Sequence, residues 1–292
     1  MKVLRLKFSA PTAHFRIAQS SNPRKTYPLP PYSTAIGLLA NILGDYDKID
    51  LMLKDSFALG ILSQYESISN EYTWLRNLNS NAHKERFGSI ENRTWQENVE
   101  HPGGQSPVVM QVLNEVEVFI YFYHPAKEIL KALQENIHFP ERWFSHLHLG
   151  RSEDWAAPCG ACLIDLKLSK KPEDFCKARQ YYQWMPEPEN AFMLDETEIE
   201  RDYRRLYEKM QGNLFLVTSL YAKEKVSWLD GKRKQVVTIR NFDHIPARLC
   251  KSQVPLLDAV TFPLIYCDTE IKTPVYLARI DVKKGGTSKY GT

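Results

Sequence analysis

With 292 residues, 43% of them hydrophobic, 12% aromatic and 25% charged, the chain can bury a proper core in one large domain or two modest ones. That balance excludes global disorder, a collagen-like repeat and a coiled-coil rod, and no run approaches the roughly 18 uninterrupted apolar residues of a membrane span. The net charge of +3 conceals a strong segregation of charge along the sequence.

The opening Met1-Lys2-Val3-Leu4-Arg5-Leu6-Lys7 lacks the apolar block of a signal peptide. Five cysteines form an odd set in a chain that needs no disulfide staples. A reduced, cytoplasmic protein without membrane contact is therefore expected. Residues 1–44 carry six basic side chains (Lys2, Arg5, Lys7, Arg16, Arg24, Lys25) and no carboxylate. The sign reverses from Asp45 to Glu71, where six acids face only Lys48 and Lys54. Residues 187–202 hold seven acids, and residues 223–251 hold eight bases. Chance clustering on a solvated surface is the plain explanation; a basic stretch inside a folded domain otherwise favours an anionic partner, nucleic acid first.

Residues 2–8 alternate as a strand, with Leu4, Leu6 and Phe8 on one face and Arg5 and Lys7 on the other. An irregular segment from Pro11 to Pro31 follows. Ile36, Leu39, Ala40 and Leu43 then keep helical spacing, with Ser33 as the expected cap and Gly44 as the stop. Phe57–Tyr65 reads as a second strand. The third is long, with Val108, Met110, Val112, Val116, Val118, Ile120 and Phe122 on one face and Glu115, Glu117 and Tyr121 on the other. Ala126, Ile129, Leu130 and Leu133 mark a second helix after Pro125, and residues 159–168 a fourth strand.

Strand, helix, strand, strand, helix, strand is the ferredoxin-like order shared with RNA-recognition modules, so an α+β fold is predicted over residues 1–168. Between the second and third strands, the polar residues 74–106 are too long for a tight hairpin and are expected to protrude. After residue 168 the sequence predicts a smaller β-rich domain over 169–284. It has an acidic segment at 187–202, strands at Leu214–Tyr221 and Gln235–Ile239 about the turn Asp230-Gly231, further strands near Phe262–Tyr266 and Pro274–Ile280, and a flexible tail at 285–292.

Cys159-Gly160-Ala161-Cys162 lacks a second ligand pair for zinc, and a strand is the wrong context for thioredoxin-like chemistry, so buried small residues are expected there. His146 and His148 share a strand face and could hold a metal, but no acidic or sulfur ligand accompanies them, and a structural role is the simpler reading. No phosphate-binding loop, Rossmann fingerprint, nucleophile elbow or H-E-x-x-H is present, so neither a cofactor nor a metal is expected.

Residues 14–44 carry the chemistry. Arg16, Arg24 and Lys25 can neutralise backbone phosphates, Tyr27 offers a ring for stacking a base, and the Ser33 and Thr34 hydroxyls at a helix start can take phosphate oxygens. Pro28, Pro30 and Pro31 stiffen the approach. The competing reading is that Tyr27 and Tyr32 pack on the core and the prolines only shape a turn.

The segment Thr26-Tyr27-Pro28-Leu29-Pro30-Pro31-Tyr32-Ser33-Thr34-Ala35-Ile36-Gly37-Leu38-Leu39, after Phe15-Arg16, resembles the signature of the Cas-five family of CRISPR-associated proteins. His148-Leu149-Gly150-Arg151-Ser152-Glu153 resembles that family's second hallmark. The branch most similar is the one found in type I-B systems. The resemblance implies a RAMP-type subunit of Cascade that holds the 5′ handle of CRISPR RNA, contacts the large subunit and caps the filament of backbone subunits. Its RNA contacts would be Phe15, Arg16 and the Tyr27–Thr34 segment. The protrusion with Arg76, Lys84, Arg86 and Arg93 would act as a thumb, and Arg151 would contact RNA or pair with Glu153. The basic run Lys232-Arg233-Lys234 permits a contact with target DNA. Two alternatives stay open. One is metal-independent cleavage of repeat RNA, as in one branch of the family, drawing on Tyr27, His14 or Lys25. The other is a module that contacts only proteins.

Overall fold

The computed structural model describes residues 1–76, 94–95, 98–99, 105–176, 180–194, 197–230 and 233–282. Its first strands are β1 (Lys2–Ala13), β2 (Phe15–Arg16), β3 (Thr26–Tyr27), β4 (Phe57–Gln64), β5 (Ser67–Arg76), β6 (Thr94–Trp95), β7 (Asn98–Val99) and β8 (Gln105–Tyr123). There follow β9 (Ala157–Asp165), β10 (Lys167–Ser169), β11 (Tyr182–Pro186), β12 (Leu214–Asp230), β13 (Arg233–Lys251), β14 (Ile265–Asp268), β15 (Thr273–Pro274) and β16 (Ala278–Ile280). The helices are α1 (Tyr32–Leu43), α2 (Tyr46–Met52), α3 (Lys127–Asn136) and α4 (Thr197–Lys209).

A large antiparallel sheet runs in the order β12-β13-β11-β4-β8-β1-β9, with β16 also paired to β4 and β5 to β8. At its centre β8 is long enough to serve both neighbours: Leu4 to Ala13 pair with Phe122 to Leu113 on one side, and Ala58 to Gln64 pair with Tyr123 to Glu117 on the other. Beyond Gln64 the second ladder resumes in unchanged register, from Ser67 opposite Asn114 to Arg76 opposite Gln105. The segment expected to protrude thus begins as a two-stranded ribbon rooted in the sheet. Lys84, Arg86 and Arg93 lie outside the described residues, as do Gly231 of the expected turn and the tail beyond Val282.

Alternation along the strands fills both faces of this sheet. Leu4, Leu6, Phe8, Val118, Ile120 and Phe122 meet α1 and α3 on one face, through Leu39, Leu43, Ile129 and Leu133. On the other, Val3, Phe119 and Tyr121 lie under Tyr181, Ile199, Tyr266 and Leu277. The face expected to be polar is therefore interior at Tyr121, whose hydroxyl donates to the Asp268 carboxylate at 2.9 Å. Arg5, expected to point outward, donates to Asp268 at 2.7 Å and to Glu270 at 2.6 Å. Lys7 pairs with Glu117 at 2.5 Å.

Strands after residue 168 extend this sheet. Tyr182 and Gln183 pair with Ser63 and Leu62, Ala278 pairs with Leu59, and Trp184 is buried in the same core as Leu4. Of the described strands from residue 167 onward, only β10, β14 and β15 form a separate small sheet. The acidic segment enters α4, and the late strands are shifted, to Ile265–Asp268, Thr273–Pro274 and Ala278–Ile280.

Local details differ from expectation where long-range contacts intervene. The N-cap of α1 is Pro31, which has no polar side chain to cap with; α1 starts one residue before Ser33, which therefore lies within the first turn, its hydroxyl 2.7 Å from Thr218 Oγ1. Gly44 ends α1 in a left-handed conformation (φ 61°), and a Cβ there would meet the Arg142 carbonyl oxygen. Cys159 is exposed and Cys162 half-buried rather than buried, since β9 pairs only with β1 and forms the sheet edge. Among the described residues no helix is long and apolar enough to cross a membrane.

Candidate nucleic-acid interface

The chain between β1 and α1 is held as a fixed platform. Phe15 pairs with Tyr27 and Arg16 with Thr26 across β2 and β3, and the Phe15 amide donates to Thr26 Oγ1 at 2.8 Å. Arg24 is drawn onto β8: its amide donates to the Val109 carbonyl at 2.7 Å, and its carbonyl accepts from the Gln111 amide at 2.9 Å. Trp184 Nε1 donates to the Pro30 carbonyl at 2.9 Å, fixing the entry to α1. The proline-rich approach to α1 is thus part of a platform anchored to β8 and β11.

This arrangement opens a cleft of about 460 Å³, lined by His14, Phe15, Arg16, Arg24, Pro31, Ser33, Thr34, Met110, Gly150, Arg151, Glu153 and Thr218. Arg16 is exposed, Arg24 is half-buried, and neither has a carboxylate partner among the described residues. The first turn of α1 forms one wall. Its Thr34 and Ala35 amides turn back to the Pro31 carbonyl, while Ser33 and Thr34 present hydroxyls. A helix start without a side-chain cap, the Thr34 hydroxyl and two guanidinium groups without a carboxylate partner among the described residues together make a site for an anion.

Arg151 is differently engaged. Its Nε and Nη2 donate to the two oxygens of Asp154, each at 2.8 Å, and its Nη1 donates to Glu71 at 2.7 Å. Thr12 Oγ1 donates to the same Asp154 at 2.7 Å. Glu153, the expected partner, lies at 3.5 Å. Hydrogen bonding to Asp154 outweighs burial and raises the Arg151 pKa further above its already high ordinary value. Arg151 thus braces the cleft and adds little free positive charge. Beside it, Gly150 adopts φ 97°, and a Cβ there would sit 2.0 Å from the His14 carbonyl oxygen, so only glycine lets the two backbones meet.

His14 is only 4% exposed. Its Nδ1 lies 2.7 Å from the Gln111 carbonyl, an acceptor, so the neutral ring carries its proton on Nδ1. Burial lowers its pKa against the effect of that hydrogen bond, with Arg151 adding to the lowering, and the ring is neutral at pH 7.

The cleft gathers His14, Phe15, Arg16, Arg24, Ser33, Thr34 and Arg151 from the sequence-derived candidates, but Lys25 and Tyr27 are not in its lining. Tyr27 is buried, with its ring edge-on to Trp184 and Phe215 at 5.4 Å each, so it has no free face for a base. The Phe15 side chain is likewise in the core. Lys25 is exposed beside the cleft, and Arg76 ends the β5 ladder opposite Gln105. Of the three residues named for RNA cleavage, only His14 lines the cleft. His146 and His148 lie in a loop rather than on a strand, with His146 Nε2 2.9 Å from the Ser152 carbonyl. Glu71, Thr12 and Thr218 were not visible as site residues, because each reaches the site from a distant segment without a local motif, whereas Asp154 stands three residues beyond Arg151 and was passed over.

A family model described as CRISPR-associated protein (Cas_Cas5) matches residues 3–205. Among solved structures, the chain is similar to one of a CRISPR RNA-guided surveillance complex, at 14% identity and a TM-score of 0.46, covering 90% of each chain. It is also similar to a CRISPR protein from Archaeoglobus fulgidus, at 12% identity and a TM-score of 0.38, covering 96% of this chain and 100% of that one. A third similarity is to a chain of a type III-B Cmr-beta complex bound to cognate target RNA, at 13% identity and a TM-score of 0.35, covering 86% and 84%. No curated protein matches the sequence.

Proposed function

The chain belongs to the CRISPR-associated protein (Cas_Cas5) family, and from that premise we propose that it is a non-catalytic subunit of a Cascade-type surveillance complex. It grips the 5′ handle of the CRISPR RNA in the cleft at the start of α1 and caps the backbone-subunit filament beside the large subunit. The observation that carries this reading is the convergence of Arg16, Arg24 and the uncapped first turn of α1 on one pre-shaped cleft. Single-stranded RNA is held by phosphate contacts on a rigid surface while its bases are splayed away. Target sequence is read by guide pairing, so this role calls for no enzymatic site.

Two structural features fit the role. The order β4-β8-β1-β9, with α1 after β1 and α3 after β8, supports a ferredoxin-like unit over residues 1–168. The β5–β8 ribbon gives the thumb a rigid root from which Lys84, Arg86 and Arg93 follow in sequence.

Binding of repeat-derived handle RNA, measured by fluorescence anisotropy across a salt series, tests the proposal. Replacing two phosphate-neutralising cations, in Arg16→Ala combined with Arg24→Ala, should flatten the slope of log K against log salt by about 1.4 for a single strand. Affinity at moderate salt should fall about tenfold or more. Unchanged affinity and slope would place the RNA elsewhere and favour a module that contacts only proteins.

A further inference from the structure

Next to the cationic cleft, and sharing Ser33 with it, lies a second hollow of about 460 Å³. Buried Ile36 of α1 and buried Ile49 and Met52 of α2 give it an apolar floor. Tyr46, 60% exposed, stands at its side, and Gly37 lines it from the middle of α1. A Cβ at Gly37 would meet nothing within 4 Å. Glycine weakens a helix interior relative to alanine, and here it widens the hollow. A hollow of this volume and composition holds a group as large as an aromatic side chain with the backbone that carries it.

The chain leads a segment of its own to this place. β16 runs antiparallel to β4, with Ala278 opposite Leu59 and Ile280 opposite Phe57, so the residues after it head towards the end of α2. Two residues on, the Val282 amide donates to Ser56 Oγ at 3.4 Å, and Val282 itself lines the hollow. Residues 283–292, outside the described residues, continue from that point as Lys283-Lys284-Gly285-Gly286-Thr287-Ser288-Lys289-Tyr290-Gly291-Thr292. They hold three lysines, no acid and one aromatic side chain.

Charge is the third observation. Residues 45–55, α2 with its flanks, hold four acids against Lys48 and Lys54. Asp45 lies 3.9 Å from Lys48, whereas Asp47, Asp50 and Asp55 are exposed and have no cationic partner among the described residues. Asp50 stands one turn from Tyr46 on the same face of α2. An acidic rim beside an apolar hollow repels a nucleic-acid backbone and suits a basic segment with an aromatic anchor.

We propose that residues 283–292 occupy the hollow: the segment turns at Gly285-Gly286, seats the Tyr290 ring beside Tyr46 on the apolar floor, and lays its lysines along the Asp47, Asp50 and Asp55 carboxylates. The inference does not depend on what the cleft binds. Tyr290 is eight residues beyond Val282, a reach of at most about 28 Å, and a glycine pair closes so short a loop at little cost. Tethering supplies an effective concentration of the order of millimolar, enough to fill the site through a contact too weak to hold a separate peptide. The segment then acts as a strap across α1 and α2 beside the cleft, and a partner that uses this face must first displace it.

Zero-length coupling of lysine to carboxylate by a carbodiimide, applied to the full chain and read by peptide mass spectrometry, tests the strap. The exposed Lys170–Glu198 pair, at 2.7 Å, is the internal control. Wild type should give links from Lys289 to Asp47 or Asp50 within one chain. Tyr290→Ser and Tyr46→Ala should each lower the yield of those links about fivefold or more, because the ring contact that holds the segment is gone. Links from Lys283 or Lys284 to Asp55 report only the direction of the chain after Val282 and should persist in both variants. Absence of the Lys289 links while the control forms overturns the strap, and so does an equal yield in Tyr290→Ser. In a mixture of isotope-labelled and unlabelled protein, Lys289 links that join labelled to unlabelled chains would overturn it in favour of a second copy in the hollow.

Discussion

At the cleft the residue with the most contacts is not the one with the most free charge. The Arg151 side chain is 14% exposed and that of Asp154 is 0% exposed, joined by two parallel hydrogen bonds. Burial alone would raise the Asp154 carboxyl pKa, but the bonds from Arg151 and Thr12 outweigh it and hold the group below its ordinary value. A carboxyl lowered on folding contributes its full stability above the unfolded value of about 4, and loses it as pH falls through the folded value. Arg151→Ala leaves Asp154 buried without its cation and should cost about 3 kcal/mol at pH 7, read from urea unfolding. The gap from wild type should narrow on the acid side of the carboxylate range. Arg151→Lys should recover only part, since an ammonium cannot make the two-pronged contact. Equal stability of all three proteins at pH 7 would mean that the pair carries no load. The sequence placed Arg151 at the site and left RNA contact and a pairing with Glu153 open; Glu153 lies within ion-pair reach at 3.5 Å, while the closer Asp154 and the distant Glu71 were not foreseen. Of the two readings left open for Tyr27, the ring packs in the core. Tyrosine suits a core and a stacking platform equally well, and the rings that enclose it, Trp184 and Phe215, arrive from β11 and β12.

Elements with strong local periodicity were legible in the sequence. β1, α1, β4, β8 and α3 each show it within their own residues, and Gly44 marks the end of α1 by backbone chemistry alone. α2 was missed because seven residues are too few to display a helical stripe, although Asp45 caps it by accepting the Asp47 amide at 2.9 Å. The inner character of the Tyr121 face was missed because a strand covered on both sides gives no clean alternation. Gly37 and Gly150 should respond oppositely to the same change. Gly37→Ala in α1 meets no neighbour and should stabilise by about 0.5–1 kcal/mol, raising Tm by about 2 °C in a chain of this size. Gly150→Ala forces a left-handed residue to carry a Cβ against the His14 carbonyl and should lower Tm clearly. A scanning-calorimetry comparison decides it; a fall in Tm for Gly37→Ala would mean that α1 is constrained there by something other than its own propensity.

Over the whole molecule, cations of the basic opening stretch find their partners far along the chain. Of the six cations in residues 1–44, Arg5 is committed to Asp268 and Glu270, and Lys7 to Glu117; of the other four, Lys2 opens β1, and Arg16, Arg24 and Lys25, without a carboxylate partner among the described residues, are the group at or beside the cleft. The same folding back decides whether the chain can be divided near residue 168. The first 168 residues hold β1, β4, β8 and β9 with both helices of one face, and by strand count could stand alone. Their other face could not. Val3, Phe119 and Tyr121 are buried there only by Tyr181, Ile199, Tyr266 and Leu277. The open edge of β4 is closed by β11 and β16, and Trp184 completes the opposite core while tying down Pro30. Removing residues 169–292 would expose these groups, strip Arg5 of both its partners and free a long sheet edge for aggregation. A fragment ending at residue 168 should therefore lack a cooperative thermal transition and should bind a hydrophobic dye strongly, while the whole chain unfolds sharply. A sharp transition in the fragment would mean that the second face tolerates water, and that the later strands are an addition to the sheet and not part of what holds it together.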